Sequence, residues 1–300
     1  RVLLNGLSAS NPYLKTFLEK YGIEVANFKV DKYKTAYNFL SESSMTEAER
    51  EALDFMLEGL MAEIATLIEK GRGEQLNGDV MDIIQAGPYL SADEALSAGL
   101  VDSLLHKDQL EEEIPFFTEK STIKKDLPQE PIRRAWNDSL QKKIALIYAV
   151  GPIHLGEGQP GSSIGAETTA AAIRAARENN QIEAILLRIN SGGGSALAAD
   201  IIAREVELCR SGENAKPVVV SMGGAAASGG YYMSAFAEKI IASPFTITGS
   251  IGVIAIFPNI TGLLEKQQIQ WDVVKQGPHA DFAALYRPLS ETEKQKITTS

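Results

Sequence analysis

The stretch VVVSMGGAAASGGYYMSAFAEKIIASPFTITGSIGV, Val218 to Val253, decides the fold. Its first residues are β-branched and apolar, so they predict a buried strand. Small residues then flank Ser228, two glycines follow it, and an alanine- and aromatic-rich run predicts a buried helix. Glycine amides approach a bound carbonyl closely, and a helix N-terminus favours negative charge. Ser228 is therefore a candidate nucleophile that needs a base.

Strands and helices alternate before this stretch. KIALIYAVGPI, starting at Lys143, predicts a buried strand, and AILLRIN, ending at Asn190, predicts another. The alanine-rich run from about Glu167 and the run ALAADIIAREVELCR predict the helices between strands. This alternation indicates α/β architecture made of βαβ units, with a largely parallel sheet and a site at its strand ends.

The first part of the chain has a different pattern. Asn11 to Tyr21 predicts a helix capped by Asn11, IEVANFKV predicts a strand, and a loop with Lys34 precedes a long amphipathic helix that runs to Lys70. Residues 107–139 are rich in proline and charge, and we expect the domain connection there, although such charge runs are also typical of a solvated surface.

An internal repeat relates the two parts. LEKYGIEVANFKV (Leu18 to Val30) aligns with LEKQQIQWDVVKQ (Leu264 to Gln276), and after a short gap MTEAERE aligns with LSETEKQ. In this alignment Lys34 falls on Ala280. We expect residues 1–106 to be the later part of a first repeat, without its leading half, and residues 140–300 to be a second repeat that stops early. The divergence predicts a site divided between repeats.

Composition excludes several classes of function. The formal net charge is −10 with a pI near 5.0, which argues against a nucleic-acid partner. Cys209 is the single cysteine, so an internal disulfide and a cysteine-rich zinc site are excluded, and no cluster has metal-ligand spacing. No apolar run reaches membrane-spanning length. The chain opens on Arg1, and we expect an upstream anchor outside it.

Four segments together, FKVDKYKTAYNFLSESSMTEAERE, LRINSGGGS, SMGGAAASGGYYMS and TITGSIGV, resemble signal peptide peptidase A of the long, tandem-repeat bacterial type. This family belongs to the Clp protease and crotonase superfamily. The resemblance implies two tandem βαβ domains of that fold, the first truncated at its N-terminal side. It implies a Ser/Lys dyad of Ser228 and Lys34 without a cofactor, Ser250 orienting the lysine, and oxyanion-hole amides from Gly193 and Gly229.

The resemblance also implies a biological setting. The expected activity is a serine endopeptidase that cleaves signal peptides and other unfolded apolar segments through an acyl-enzyme. The expected assembly is a homo-oligomer, a tetramer, held by an N-terminal anchor at the periplasmic side of the cytoplasmic membrane. One departure is Gly192, where the family usually has proline. That change loosens the loop that contains Gly193.

Each residue has a plainer interpretation. Ser228 is also typical of close helix–sheet packing, Lys34 of a solvated loop, Ser250 of a turn cap, and SGGGS of a flexible turn or phosphate nest. His279 offers a Ser-His alternative. A crotonase-like acyl-CoA enzyme without a covalent nucleophile and an inactive scaffold paralogue are the alternative functions. Lysine serves as a base when burial lowers its pKa, and Ser/Lys pairs are a known hydrolase variant.

Overall fold

A computed structural model of the protein describes residues 2–106, 109, 142–212, 214–276 and 279–299. They form two compact units. The first contains the described residues of Arg1–Ser8 and Leu57–Gln141, and the second contains Ala9–Met56 and the described residues of Lys142–Ser300. Compact units and sequence repeats are different divisions of the chain, so the predicted repeats 1–106 and 140–300 remain predictions. The predicted connection, 107–139, lies outside the described residues except for Gln109.

The secondary structure follows in chain order. The helices are α1 (Lys15–Lys20), α2 (Asn38–Ser41), α3 (Glu47–Arg72), α4 (Val80–Ala86), α5 (Ala92–Ser97), α6 (Ala166–Glu178), α7 (Ala196–Leu208), α8 (Gly229–Tyr232), α9 (Thr261–Lys266) and α10 (Glu291–Thr299). The strands are β1 (Glu24–Lys29), β2 (Lys143–Val150), β3 (Ile153–His154), β4 (Ile164–Gly165), β5 (Ile182–Ser191), β6 (Val218–Ala227), β7 (Lys239–Ile241), β8 (Ile247–Gly249) and β9 (Ile254–Asn259).

The first unit is helical. Its apolar side chains come mainly from α3, α4 and α5, with Ala65, Val80, Ile84 and Ala95 among the buried ones. Helix α5 begins with a capping box in which the Ser91 hydroxyl accepts from the Glu94 amide. This satisfies an amide that would otherwise lack a partner at the helix start.

The second unit is built on a parallel sheet with strand order β2-β5-β6-β7, and β8 pairs with β6 beyond the end of β7. Helices α6 and α7 connect successive parallel strands, because a parallel connection needs a long crossover. The predicted α/β class with a largely parallel sheet is confirmed. The carboxyl ends of these parallel strands point in the same direction, and sites in such folds form beside those ends.

The core lies on one face of this sheet. Alternate residues of β5 and β6 point into it, and α6 and α7 cover them; the buried set includes Ile185, Leu187, Ile189, Val218, Val220, Ile173 and Ile202. Burial of one such side chain contributes ~1.5–3 kcal/mol. The core therefore fixes the positions from which the strand ends emerge.

Two predicted elements differ in detail. KIALIYAV was predicted as a buried strand, but Ile144, Leu146 and Tyr148 of β2 are exposed, because they lie on the face of the sheet opposite the core, to which only the alternate residues of β2 point. Helix α1 begins at Lys15 rather than near Asn11. The side chain of Asn11 does not cap a helix, because its Nδ2 donates to Glu49 Oε1 at 3.1 Å. The strand in IEVANFKV and the long helix after Lys34 are confirmed.

Strand β1 lies outside the parallel sheet and pairs antiparallel with β9. This pairing joins the early segment, Ala9–Met56, to the later part of the second unit. Among the described residues, no helix has the length and apolar character needed to cross a bilayer.

The core arrangement predicts different costs for two leucines. Leu187 of β5 is fully buried, whereas Leu146 of β2 is 50% exposed. We expect Leu187→Ala to lower the free energy of unfolding by about 2–5 kcal/mol because it leaves a cavity. Leu146→Ala, the matched control, should change it by less than about 1 kcal/mol, and urea titration of both variants measures the difference. Equal losses would contradict the assignment of the core to this face.

Candidate active site

Two serines follow the ends of paired strands. The last residues of β6 and β8, Ala227 and Gly249, are register partners, so Ser228 and Ser250 leave the sheet side by side. The Ser228 amide donates to the Gly249 carbonyl at 2.8 Å. Both serines have φ of 53°, a conformation that costs ~1–3 kcal/mol for residues other than glycine. Ser228 lies on a tight strand-to-helix turn, which presents a hydroxyl at the strand ends, and Ser250 lies in the connection from β8 to β9.

The pairing of β1 with β9 brings Lys34 to these serines. Lys29 at the end of β1 pairs with Ile254 at the start of β9, and the Val30 amide donates to the Val253 carbonyl at 3.2 Å. The residue that precedes this carbonyl is Gly252, where a Cβ would lie 3.8 Å from Lys34 Cδ. The lysine side chain therefore runs alongside the turn that contains Ser250.

The Lys34 amine lies among three oxygens. Its Nζ is 3.0 Å from Ser228 Oγ, 3.0 Å from Ser250 Oγ and 2.5 Å from the Ser250 carbonyl. The lysine residue is only 5% exposed. The structure therefore brings together three residues that are far apart in sequence, at the separation expected of a nucleophile and its base.

Burial determines the protonation of this amine. Desolvation lowers the pKa of Lys34, because a buried ammonium loses its hydration. The oxygens around Nζ belong to hydroxyl and carbonyl groups, which carry no formal charge to restore the ammonium form. Lys34 therefore becomes neutral at a lower pH than a solvated lysine. The neutral amine has the lone pair that a base requires.

The glycine loop after β5 approaches Ser228 closely. A Cβ on Gly193 would lie 2.8 Å from Ser228 Cβ and 3.0 Å from the Gly229 nitrogen, and Gly193 has φ of +104°. Only glycine suits both conditions. The Gly193 amide, however, donates to Ser191 Oγ at 3.1 Å, so it is not directed at the site.

Sequence reasoning missed the next residue, Gly194. Gly194 lines the cavity at the site, and its nitrogen would be 3.6 Å from a Cβ on Gly229. Within the described part of the chain, the Gly194 amide has no hydrogen-bond acceptor. In the sequence, Gly194 is the third glycine of SGGGS. The sequence does not show which of the three glycine amides points into the active site and acts as the oxyanion donor.

Gly229, predicted as the other oxyanion donor, lies at the start of a helix. It is the first residue of α8, directly after Ser228, and its amide belongs to the first turn, where helix amides lack internal partners. Helix α8 has four residues, shorter than the buried helix that the alanine- and aromatic-rich run predicted. Tyr231 and Tyr232, the last two residues of α8, line the same cavity as Ser228.

A cavity of about 700 Å³ opens at the serine and lysine. Its lining combines the loop after β5, the turn at Ser228 and the segment before β9, and its surface is largely apolar; the apolar members include Ala196, Tyr231, Tyr232, Ala235, Ile251 and Val253. This volume and character are typical of a pocket for organic ligands.

The histidine alternative finds no support in the geometry. Among the described residues the hydrogen-bond partner of Ser228 Oγ is Lys34 and not His279, the histidine that the sequence offered. His154 contacts the Leu155 carbonyl and Ser163 Oγ. In the same part of the chain, no group of His, Cys, Asp and Glu side chains is arranged to hold a metal ion. Cys209, a free cysteine, is buried.

Comparisons with known proteins place the chain among peptidases. A model of peptidase family S49 matches residues 1–115 and 210–300. The chain is 33% identical to "Serine protease SPPA, chloroplastic" of Arabidopsis thaliana, over 99% of this chain and 45% of that protein. It is also 33% identical to "Protease 4" of Salmonella typhi, over 100% of this chain and 49% of that protein.

A shorter match is to "Putative signal peptide peptidase SppA" of Enterococcus faecium, which is 36% identical over 40% of this chain and 35% of that protein. The chain spans about half the length of the curated relatives that it matches over nearly all its residues.

The backbone of Gly193 lies so close to Ser228 that a methyl group at position 193 should affect the reactivity of Ser228. We expect Gly193→Ala to slow covalent labelling of Ser228 by a serine-directed fluorophosphonate about 100-fold or more, because the new Cβ collides with Ser228 and the +104° φ is strained. Gly192→Ala is the matched control, since a Cβ there meets nothing within 4 Å. Labelling rates followed by mass spectrometry compare the two, and equal rates would contradict the close packing.

Proposed function

Because this chain belongs to peptidase family S49, we propose that it is a serine protease that cleaves peptide bonds with Ser228 as nucleophile and Lys34 as general base. The observation that supports the dyad is the 3.0 Å separation of Lys34 Nζ and Ser228 Oγ in a buried, uncharged setting. A serine hydroxyl attacks poorly unless a base takes its proton, and a neutral lysine with a lowered pKa is a suitable base.

The first half-reaction forms an acyl-enzyme. Ser228 Oγ attacks the carbonyl carbon of the scissile peptide while its proton passes to Lys34 Nζ. When the tetrahedral intermediate collapses, the C–N bond breaks and the Lys34 ammonium gives that proton to the leaving amine. Lys34 is then neutral again. Water, deprotonated by the same amine, attacks the ester. When this second intermediate collapses, the bond between the acyl carbon and Ser228 Oγ breaks, and the Lys34 ammonium returns the proton to Ser228 Oγ as the acid product leaves.

Backbone amides stabilise the oxyanion in this scheme. We assign one donor to Gly229, as the sequence predicted. For the second donor the geometry favours Gly194 over the predicted Gly193, because the Gly193 amide is engaged by Ser191 Oγ. A single donor of this kind contributes about 3–4 kcal/mol to the transition state.

Ser250 orients the base. Its carbonyl and Oγ both lie within hydrogen-bond distance of Lys34 Nζ. A neutral amine has two N–H donors and one lone pair, so donation to the two Ser250 oxygens leaves the lone pair directed at the Ser228 hydroxyl. This geometry suits transfer of the Ser228 hydroxyl proton to Lys34 Nζ.

The substrate class follows from the cavity. Its apolar lining suits hydrophobic side chains in an extended, unfolded segment, and a signal peptide has such an apolar run. The name of the Enterococcus relative points to the same substrates. By resemblance, we also propose a tetrameric homo-oligomer at the periplasmic side of the cytoplasmic membrane, attached through an N-terminal anchor.

The dyad is tested with three variants of the full-length protein. We expect Ser228→Ala and Lys34→Ala each to lower the rate of cleavage of an apolar fluorogenic peptide by about 1,000-fold or more. Lys32→Ala, which removes an exposed lysine two positions away, should leave the rate unchanged. Full activity of Lys34→Ala would disprove the dyad.

Two further readouts separate the alternatives. The wild-type rate should rise with pH as Lys34 loses its proton, with a midpoint below the ordinary lysine value of about 10.4, because burial lowers the Lys34 pKa. Labelling of Ser228 by a fluorophosphonate excludes an acyl-CoA enzyme without a covalent nucleophile. A wild-type protein that neither labels nor cleaves would instead indicate an inactive scaffold.

Ser250→Ala tests the orientation of the amine. One hydrogen bond is lost while the nucleophile, the base and the Ser250 carbonyl contact remain. We expect kcat to fall about 10- to 100-fold with little change in KM, which corresponds to one strong hydrogen bond in the transition state. Ser162→Ala, at an exposed loop serine, serves as the control. Unchanged kcat in Ser250→Ala would refute the orienting role.

A further inference from the structure

A buried amide lies close in sequence to the proposed base. Asn38, at the start of α2, is 0% exposed, and both ends of its side chain are used. Its Oδ1 accepts from Lys29 Nζ at 2.9 Å, and its Nδ2 donates to Glu49 Oε2 at 3.0 Å. A single neutral amide therefore links a lysine to a carboxylate.

This link closes the loop that contains Lys34. Lys29 is the last residue of β1 and Asn38 is the first of α2, so the hydrogen bond between their side chains joins the two ends of the segment between them. Within that segment the Lys34 amide donates to the Asp31 carbonyl at 3.1 Å. The position of Lys34 thus depends on a short loop tied at its base.

The far end of the link is anchored at the start of α3. Glu49 is 4% exposed, and its amide donates to Thr46 Oγ1 at 3.2 Å. Its second carboxylate oxygen accepts from the Asn11 side chain at 3.1 Å. A buried carboxylate is costly unless it is hydrogen-bonded, so loss of the Asn38 donor would leave Glu49 Oε2 without this partner.

The second repeat contains a charged version of this arrangement. In the alignment, Lys29 falls on Lys275, Thr46 on Ser290 and Glu49 on Glu293. Glu293 is also buried, at 1% exposure, and its amide also donates to the aligned hydroxyl, at 3.3 Å.

In that repeat an ion pair takes the place of the amide. Asp281 binds Lys275 Nζ at 2.9 Å and Arg287 Nε at 2.8 Å, and Arg287 binds Glu293 at 2.7 Å. Arg287 accordingly lowers the pKa of Glu293 to about 2. The repeat with the candidate base has a neutral link, and the repeat with Ala280 at the aligned position has two additional charges.

We propose that Asn38 is a positioning residue for Lys34, which holds the base loop in place through its hydrogen bonds to Lys29 and Glu49. The proposal rests on the proposed function, since Lys34 is the base. Asn38 acts through the loop and does not contact the reacting atoms.

Other charged groups of this segment have partners of their own. Lys32 pairs with Glu51 at 3.7 Å, and Asp31 Oδ1 accepts from the Tyr33 amide at 2.9 Å. From β6 and β8, the groups that reach Lys34 Nζ are the serine oxygens, which carry no formal charge. A variant that loosens the loop should therefore act by letting water reach the amine.

The test measures Lys34 directly as well as through activity. In full-length protein with carbon-13-labelled lysine, NMR titration gives the Lys34 pKa, assigned with Lys34→Ala. We expect Asn38→Ala to raise this pKa towards the ordinary value, to move the pH-rate midpoint upward with it, and to lower kcat about 10- to 100-fold with little change in KM. Lys29→Met, which removes only the bond at the base of the loop, should shift all three in the same direction and serves if Asn38→Ala does not fold.

Arg287→Met is the matched control because it breaks the aligned link in the repeat without the base. It should lower the melting temperature but leave the Lys34 pKa and the pH-rate midpoint unchanged. The inference is overturned if Asn38→Ala and Lys29→Met lower only the melting temperature, as Arg287→Met does. If the wild-type protein neither cleaves peptides nor labels at Ser228, while Asn38→Ala still raises the Lys34 pKa, the proposed function fails and the positioning role stands.

Discussion

The arrangement depends on one buried amine. The Lys34 residue is buried, and its Nζ has three neutral oxygens as hydrogen-bond partners. Ammonium is poorly stabilised there, and this raises the population of the neutral form that a base needs. A carboxylate at the same distance would reverse the effect by restoring the charged form. The requirement therefore concerns polarity as much as position: the partners must be close and they must be uncharged.

The parallel sheet positions the two serine hydroxyls next to the lysine amine, and their backbone is strained as a result. Ser228 and Ser250 both adopt a positive φ immediately after paired strand ends, at a cost of ~1–3 kcal/mol each. Side chains of β5 and β6 buried against α6 and α7 offset this cost, because each contributes a comparable amount. Glycine at position 193 then allows the loop after β5 to lie against Ser228. The rigid strands set the geometry, and the strained turns direct the hydroxyls to one point.

Sequence reasoning predicted the α/β class, the main strands and the long helix, because apolar periodicity reports directly on a one-sided core. It proposed Ser228 from local pattern, whereas Lys34 came from the repeat and the resemblance, since no local signal marks a loop lysine as buried. The sequence does not show which glycine amide of the loop after β5 points towards Ser228. Gly192, Gly193 and Gly194 are equivalent in composition, and only the hydrogen bond to Ser191 Oγ distinguishes the second of them. Asn11 looked like a helix cap because its tertiary partner, Glu49, is distant in sequence.

The candidate site needs two distant parts of the chain. Strand β1 lies in the part predicted to be the first repeat and β9 in the part predicted to be the second, and their pairing joins the loop of Lys34 to the turn after β8. If this pairing were lost, Lys34 would no longer be held beside Ser228, and the proposed nucleophile would lose its proposed base although both residues would remain intact. Each predicted repeat has a lysine linked to a buried glutamate, yet the link is a neutral amide in one and an Asp–Arg ion pair in the other. The same framework is thus closed with a different number of charges. The amide link lies in the part of the chain that contains Lys34, and the ion-pair link lies in the part that has alanine at the aligned position.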